Sequence, residues 1–97
     1  MELDKIYNIL HMIVQKFFPN TLISEEDWMK FKSLPLTGNY WDFDANDMVY
    51  LFFEVEKAFD IHILPKDIVK YKFVSIDQIA TIIGSYLSAD ITYARKE

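Results

Sequence analysis

Apolar residues recur at steps of three and four in three separate segments of this chain, the spacing that places them on one face of an α-helix. The first stripe consists of Leu3, Ile6, Tyr7, Leu10, Ile13, Val14 and Phe17. The second consists of Met48, Leu51, Phe52, Val55 and Phe59. The third consists of Ile76, Ile79, Ala80, Ile83 and Leu87. The pattern predicts three main amphipathic helices that bury these stripes against one another.

Residues that start or stop helices flank the stripes. Pro19 and Asn20 follow the first stripe and favour its end. Asp44 lies before the second stripe, where its carboxylate can cap a helix N-terminus. Ser75 and Gln78 have the spacing of a capping box at the start of the third. We therefore expect helices to begin after Asp44 and at Ser75.

The segment between the first two stripes, residues 19–43, is long for a connection in so small a domain. Ser24 can cap a short helix in which Trp28 and Phe31 share a face. The stretch "SLPLTGNYW" then reads as a loop whose apolar residues pack down onto the core. We expect an ordered connection that contains one short helix.

The scarcity of turn residues supports a helical fold. Two glycines and three prolines are too few for the many tight turns of a β-sandwich. Pro65 is well placed to open a further short helix around Lys66 to Lys70. We predict an all-α four-helix bundle with three main helices, a short third helix and a long first loop. Residues 1–97 form one domain, with a core over residues 3–87 and a flexible tail over 88–97.

Composition and charge exclude several kinds of partner. The net charge of −5 argues against nucleic acid and against an anionic membrane surface. No apolar run is long enough to span a bilayer, and "MELDKIYN" lacks the basic start and apolar core of a signal peptide. The chain contains no cysteine, which excludes disulfides and thiolate chemistry. We expect a cytoplasmic location and a protein partner.

No catalytic constellation is visible. His11 lies at the edge of the first stripe, and His62 alternates outward between Ile61 and Ile63. The serines lack the surroundings of a nucleophile elbow, and Ser24 and Ser75 read as helix caps. The sequence therefore predicts that the protein is not an enzyme.

The stretch "DFDAND" partly matches a calcium-binding loop. Asp42, Asp44 and Asn46 fall at its first, third and fifth positions. The glycine required at the sixth position is Asp47 here, and the glutamate required at the twelfth is Phe53. Because two defining positions fail, we predict no metal site.

The order of elements resembles an acyl or peptidyl carrier protein, most closely from Asp44 to about Leu87. The residues that carry the resemblance are Asp44, Ala45, Asp47, Val49, Leu51, Glu56, Phe59, Ile61, Ile63 and Pro65. In that family the second helix opens Asp-Ser-Leu, and the serine hydroxyl holds a phosphopantetheine arm. The resemblance implies an acyl-carrier-like bundle whose second helix docks onto partner proteins.

Two departures fall on the critical positions. Ala45 stands where the family has its serine, and Asn46 stands where it usually has leucine. The short glycine-containing turn that precedes the family's aspartate is also missing. A methyl group cannot accept a phosphodiester, so no phosphopantetheine cofactor is expected at Ala45. The alternative is a genuine carrier whose serine was replaced deliberately or whose arm sits on another hydroxyl. The paired change at Asn46 favours natural loss.

A narrower resemblance is to the acyl carrier-related proteins of bacteriocin-type peptide maturation systems. It rests on the stretch "LTGNYW" together with "MVYLFFEVEKAFDI". This likeness implies a role beside an enzyme that modifies a ribosomally made peptide.

The outer face of the helix after Asp44 is the candidate interaction surface. Tyr50 and Phe53 are large apolar groups on that face, and aromatic residues are enriched at interface cores. The competing interpretation is that the long loop covers them through Trp28 or Trp41. The candidate partner-binding residues are Ala45, Asn46, Asp47, Val49, Tyr50, Phe53, Glu54 and Lys57.

The leading hypothesis is a non-enzymatic interaction module for a biosynthetic or peptide-modifying enzyme. A helical domain whose likeness to carriers is coincidental is a third possibility.

Overall fold

The structure is a computed structural model that describes residues 2–17 and 24–96, with side chains described for 2–16 and 24–87. Within these ranges the chain forms five α-helices and no strand. They are α1 (Leu3–Phe17), α2 (Glu25–Phe31), α3 (Ala45–Phe59), α4 (Pro65–Tyr71) and α5 (Ile76–Lys96). The predicted all-α fold class is confirmed, with α1, α3 and α5 as the main helices and α2 and α4 as short ones.

The predicted caps form at the starts of the helices. Ser24 accepts a hydrogen bond from the Asp27 backbone N–H at the start of α2. Ser75 and Gln78 make the reciprocal pair of a capping box at the start of α5, with N–H to oxygen distances of 3.2 and 3.1 Å. The predicted stop at Pro19 and Asn20 lies outside the described residues.

The core lies where α1 packs on α3 and α5, with α4 packed on α5. Its buried members from the predicted stripes are Ile6, Leu10, Ile13, Val14, Leu51, Val55, Phe59, Ile76, Ile79, Ala80 and Ile83. Tyr7, Met48, Phe52 and Leu87 are partly buried against them. Ile82 is also buried, because α5 contacts both α1 and α4 and so covers more than one narrow face.

Leu3 was assigned to the first stripe wrongly. Its side chain is 57% exposed, because it lies in the first turn of α1 on the wall of an open groove beside α2. The side chain of Phe17, also assigned to this stripe, lies outside the described part.

The described part of the first connection, residues 24–43, is ordered by its own apolar residues, as predicted. Trp28, Leu36, Trp41 and Phe43 are all buried. The Trp41 Nε1–H donates to the Phe31 carbonyl at 3.0 Å. Backbone hydrogen bonds of 2.8 and 2.9 Å join the Leu36 N–H to the Val74 carbonyl and the Phe43 N–H to the Leu36 carbonyl. The connection is therefore part of the core and is tied to the segment before α5.

The C-terminal helix is longer than the predicted core. Its backbone remains helical to Lys96, whereas the tail was predicted to begin at residue 88. Side chains beyond Leu87 lie outside the described part, and the flexibility of the tail stays a prediction.

Candidate interaction face on the third helix

The N-terminus of α3 is closed by two aspartates that cap each other. The Asp44 carboxylate accepts from the Asp47 backbone N–H at 2.8 Å, and the Asp47 carboxylate accepts from the Asp44 backbone N–H at 3.0 Å. This reciprocal pair is a capping box built from two aspartates. Both carboxylates serve the backbone, so the start of α3 is fixed in orientation.

Asp42 positions this helix start. Its backbone has a φ of 56°, in the left-handed region that aspartate adopts more readily than most residues. The turn leaves Asp42 exposed while Trp41 and Phe43 on either side are buried. A glycine is therefore not needed for the chain to turn into α3.

Ala45 and Asn46 follow the cap as the first two residues of α3, and both are exposed. A group attached at position 45 would reach solvent. The alanine side chain carries no donor, acceptor or nucleophile. A partner could contact the methyl group and the backbone at this end of the helix, but Ala45 has no side-chain group that could form a hydrogen bond or a covalent bond.

Three adjacent apolar side chains extend the exposed face along α3. Val49, Tyr50 and Phe53 are 55%, 48% and 62% exposed, and their spacing of three and four places them side by side on the helix. Within residues 24–43, the described part of the connection, Trp28 and Trp41 do not cover them. Trp28 instead stacks on His11 with ring centroids 4.5 Å apart, and Trp41 meets Trp28 edge-on at 6.1 Å. The hypothesis that the loop covers this face through Trp28 or Trp41 is therefore wrong.

An aromatic row continues this face toward the start of α5. The rings of Phe53 and Phe52 are 5.9 Å apart, and Phe52 lies 5.5 Å from Phe73 in the connection between α4 and α5. Val74 beside Phe73 is exposed as well. The sequence pattern of α3 did not reveal Phe73 and Val74, because they lie on another element. We call Val49, Tyr50 and Phe53 the α3 apolar patch.

The charged neighbours of the patch are paired or committed to the backbone. The Lys57 ammonium lies 3.7 Å from the Glu54 carboxylate, whose side chain is only 14% exposed. Asp47 is held in the cap, as described above. The rim of the patch is therefore polar and close to neutral around Glu54 and Lys57.

The far end of α3 is also fixed. Asp60 ends the helix in the left-handed conformation, with its N–H donating to the Glu56 carbonyl. The Glu56 carboxylate accepts from the Ile63 N–H at 2.8 Å and lies 3.3 Å from Nδ1 of the exposed His62. Glu56 thus holds the α3–α4 connection in place, and α3 presents its patch as a rigid element.

Two partly buried tyrosines form polar clusters away from the patch. Burial and the hydrogen bond that Tyr7 donates to Asp77 at 2.6 Å raise the pKa of the Tyr7 hydroxyl well above its ordinary value. Burial and a hydrogen bond to Asp67 likewise raise the pKa of Tyr86, which also accepts from the Leu64 N–H at 2.7 Å. Sequence spacing gave no signal for either pair, because each joins separate helices.

The part of the chain that the structure describes contains no group of three or more metal-ligating side chains. In the same part, no helix is long and apolar enough to cross a membrane. Ser24 and Ser75 are committed to helix caps, and the His11 ring is stacked on Trp28.

Comparison with family models, curated proteins and solved structures found no match to this chain.

Proposed function

We propose that this protein is a non-enzymatic interaction module that docks onto another protein through the α3 apolar patch. The module is a carrier-like bundle without a phosphopantetheine arm, and it acts in the cytoplasm. Its partner is a biosynthetic or peptide-modifying enzyme. The observation that carries the proposal is the exposure of Val49, Tyr50 and Phe53 side by side on a helix fixed at both ends.

Apolar surface left in water carries a free-energy cost that burial removes. Burying such surface is favourable by about 25 cal/mol per Å², and aromatic residues are over-represented among interface hot spots. Single exposed apolar residues are common, but a contiguous group indicates an interaction site. Because α3 is capped at both ends, a partner would gain this burial without ordering the helix.

The start of α3 supports an interaction role over a carrier role. Ala45 is exposed where the carrier resemblance places the attachment serine, and its methyl group cannot be phosphopantetheinylated. The capping box nonetheless keeps the helix start intact. This combination retains a docking helix and removes the covalent cargo.

The test maps the footprint of a partner on the protein. Crosslinking in the host cell, followed by purification of this protein, identifies the partner that is crosslinked to it. Changes in the amide chemical shifts of this protein on adding the purified partner then show which residues the partner contacts. We expect the largest shifts at residues 45–57, and we expect Phe53→Ser to weaken binding about tenfold or more. The control is Met12→Ser, which removes an equally exposed apolar side chain from α1.

A footprint on α1 or α5, or equal losses from Phe53→Ser and Met12→Ser, would overturn the assignment of the α3 apolar patch. The intact mass of protein purified from its own host tests the carrier alternative separately. We expect the mass of the unmodified chain. A phosphopantetheine adduct would show a working carrier and sink the proposal.

A further inference from the structure

A second exposed feature lies between α1 and α2 and shares no residue with the α3 apolar patch. It is a groove of about 340 Å³ whose lining includes Trp28. Leu3 on α1 and Met29 on α2 line it and are 57% and 62% exposed. Two large exposed apolar side chains thus line an open groove beside the buried indole of Trp28.

The charges that line the groove are unbalanced. Asp4 and Glu25 lie on its two helices, and within the described ranges neither forms an ion pair. The one cation of the lining, Lys32, is already engaged. Its ammonium lies 3.9 Å from the Asp77 carboxylate and 4.3 Å from the centroid of the Tyr7 ring. The lining therefore presents apolar surface and two carboxylates that have no ion-pair partner in the described ranges.

We propose that this groove binds a short cationic peptide segment of a partner protein. An apolar side chain of the segment lies on Trp28 between Leu3 and Met29. Lysine or arginine side chains beside it pair with Asp4 and Glu25. Charge complementarity selects this occupant, since an anionic peptide or a fatty acid would bring like charge to the same two carboxylates. The inference stands independently of the role proposed for α3.

The probe is a blocked peptide, KLLKKLLK, with ELLEELLE and KSSKKSSK as matched peptides that reverse its charge or remove its apolar residues. Binding is followed by Trp28 fluorescence in a Trp41→Phe background and by amide chemical shifts. We expect KLLKKLLK to bind in the groove, and the other two to bind at least tenfold more weakly.

Matched variants separate the groove from general surface effects. Leu3→Ser with Met29→Ser should weaken KLLKKLLK about tenfold, whereas Met12→Ser, at an exposed position outside the lining, should not. Asp4→Asn and Glu25→Gln should each weaken binding about two- to five-fold. Glu26→Gln removes the same charge from the same first turn of α2 but lies outside the lining, and it should change affinity least.

Several results would overturn the proposal. These are failure of KLLKKLLK to bind, equal binding of ELLEELLE, and equal losses from lining and control variants. Dimerisation that Leu3→Ser with Met29→Ser abolishes would assign the groove to a second copy of the chain. Loss of KLLKKLLK binding in Phe53→Ser alone would place the peptide on α3 and reject the groove.

Discussion

Two groups of aromatic residues lie between residues 28 and 53, and their environments differ completely. Trp28, Trp41 and Phe43 belong to the first connection and its short helix, and all three are buried. Tyr50 and Phe53 lie on α3 and are largely exposed. Hydrophobicity is similar in the two groups, so composition does not separate them. What separates them is geometry, because the connection folds onto the bundle whereas this side of α3 faces away from it.

The difference teaches where apolar surface stabilises the fold and where it is available for binding. In the connection, the aromatic rings contact one another, and Trp41 donates a hydrogen bond to the Phe31 carbonyl, so these residues stabilise the fold. On α3, the ring contact of Phe53 with Phe52 leaves most of the Phe53 side chain in solvent. Substitutions in the buried group should therefore lower the stability of the fold, whereas substitutions in the exposed group should mainly weaken binding.

The largest expected effect is on the buried group. Trp41→Ala removes a buried indole and its hydrogen bond, and should lower the free energy of unfolding by about 3–5 kcal/mol. Phe53→Ala should change it by at most about 0.5 kcal/mol, because the side chain is exposed. Urea titrations of the two variants measure both values. Similar losses would abolish the distinction between the groups.

The free energy of unfolding should depend on pH through Tyr7, which lies where the connection meets α1 and α5. Because the pKa of Tyr7 is raised in the folded state, its contribution to stability is full below pH about 10, the unfolded value. It declines as pH rises from there toward the folded pKa. Tyr7→Phe should lose about 1.5 kcal/mol at pH 7 through the missing bond to Asp77.

Unfolding midpoints measured from pH 7 to pH 11 test this. The wild-type protein should lose stability more steeply above pH 10 than Tyr7→Phe. Parallel curves would show that Tyr7 does not couple protonation to folding.

The smallest expected change in stability comes from the start of α3, which lies in the sequence between the buried and the exposed aromatic groups. Asp44→Ala should cost about 1 kcal/mol, because it leaves the Asp47 N–H uncapped. Ala45→Ser should change stability by less than about 0.5 kcal/mol, since position 45 is exposed and outside the capping bonds. Thermal unfolding of both variants measures the pair. A clear loss of stability in the Ala45→Ser variant would mean that the side chain at position 45 is packed against other residues.

Much of this architecture follows from local rules. The stripes of α1, α3 and α5 and the caps at Asp44 and Ser75 depend on residues within a few positions of one another, so periodicity predicts them. The same period placed Phe53 on the outer face of α3, whereas its exposure is a finding of the structure.

Other features depend on which elements meet in space. Tyr7 and Asp77 are 70 positions apart, and no spacing rule joins them. Leu3 obeys the helical period but has open groove beside it, and Ile82 breaks the narrow stripe because α5 has two neighbours. The groove between α1 and α2 is invisible in the sequence for the same reason, since its walls come from different helices.

The ties between the first connection and α5 bear on how the protein folds during synthesis. Leu36 bonds to Val74, and Lys32 and Asp77 are joined by a backbone hydrogen bond and an ion pair. None of these contacts can form until the start of α5 has left the ribosome. We therefore expect the tryptophan-rich connection to take up its native contacts only after the start of α5 has emerged. Such distant closure also slows folding relative to bundles with local contacts alone.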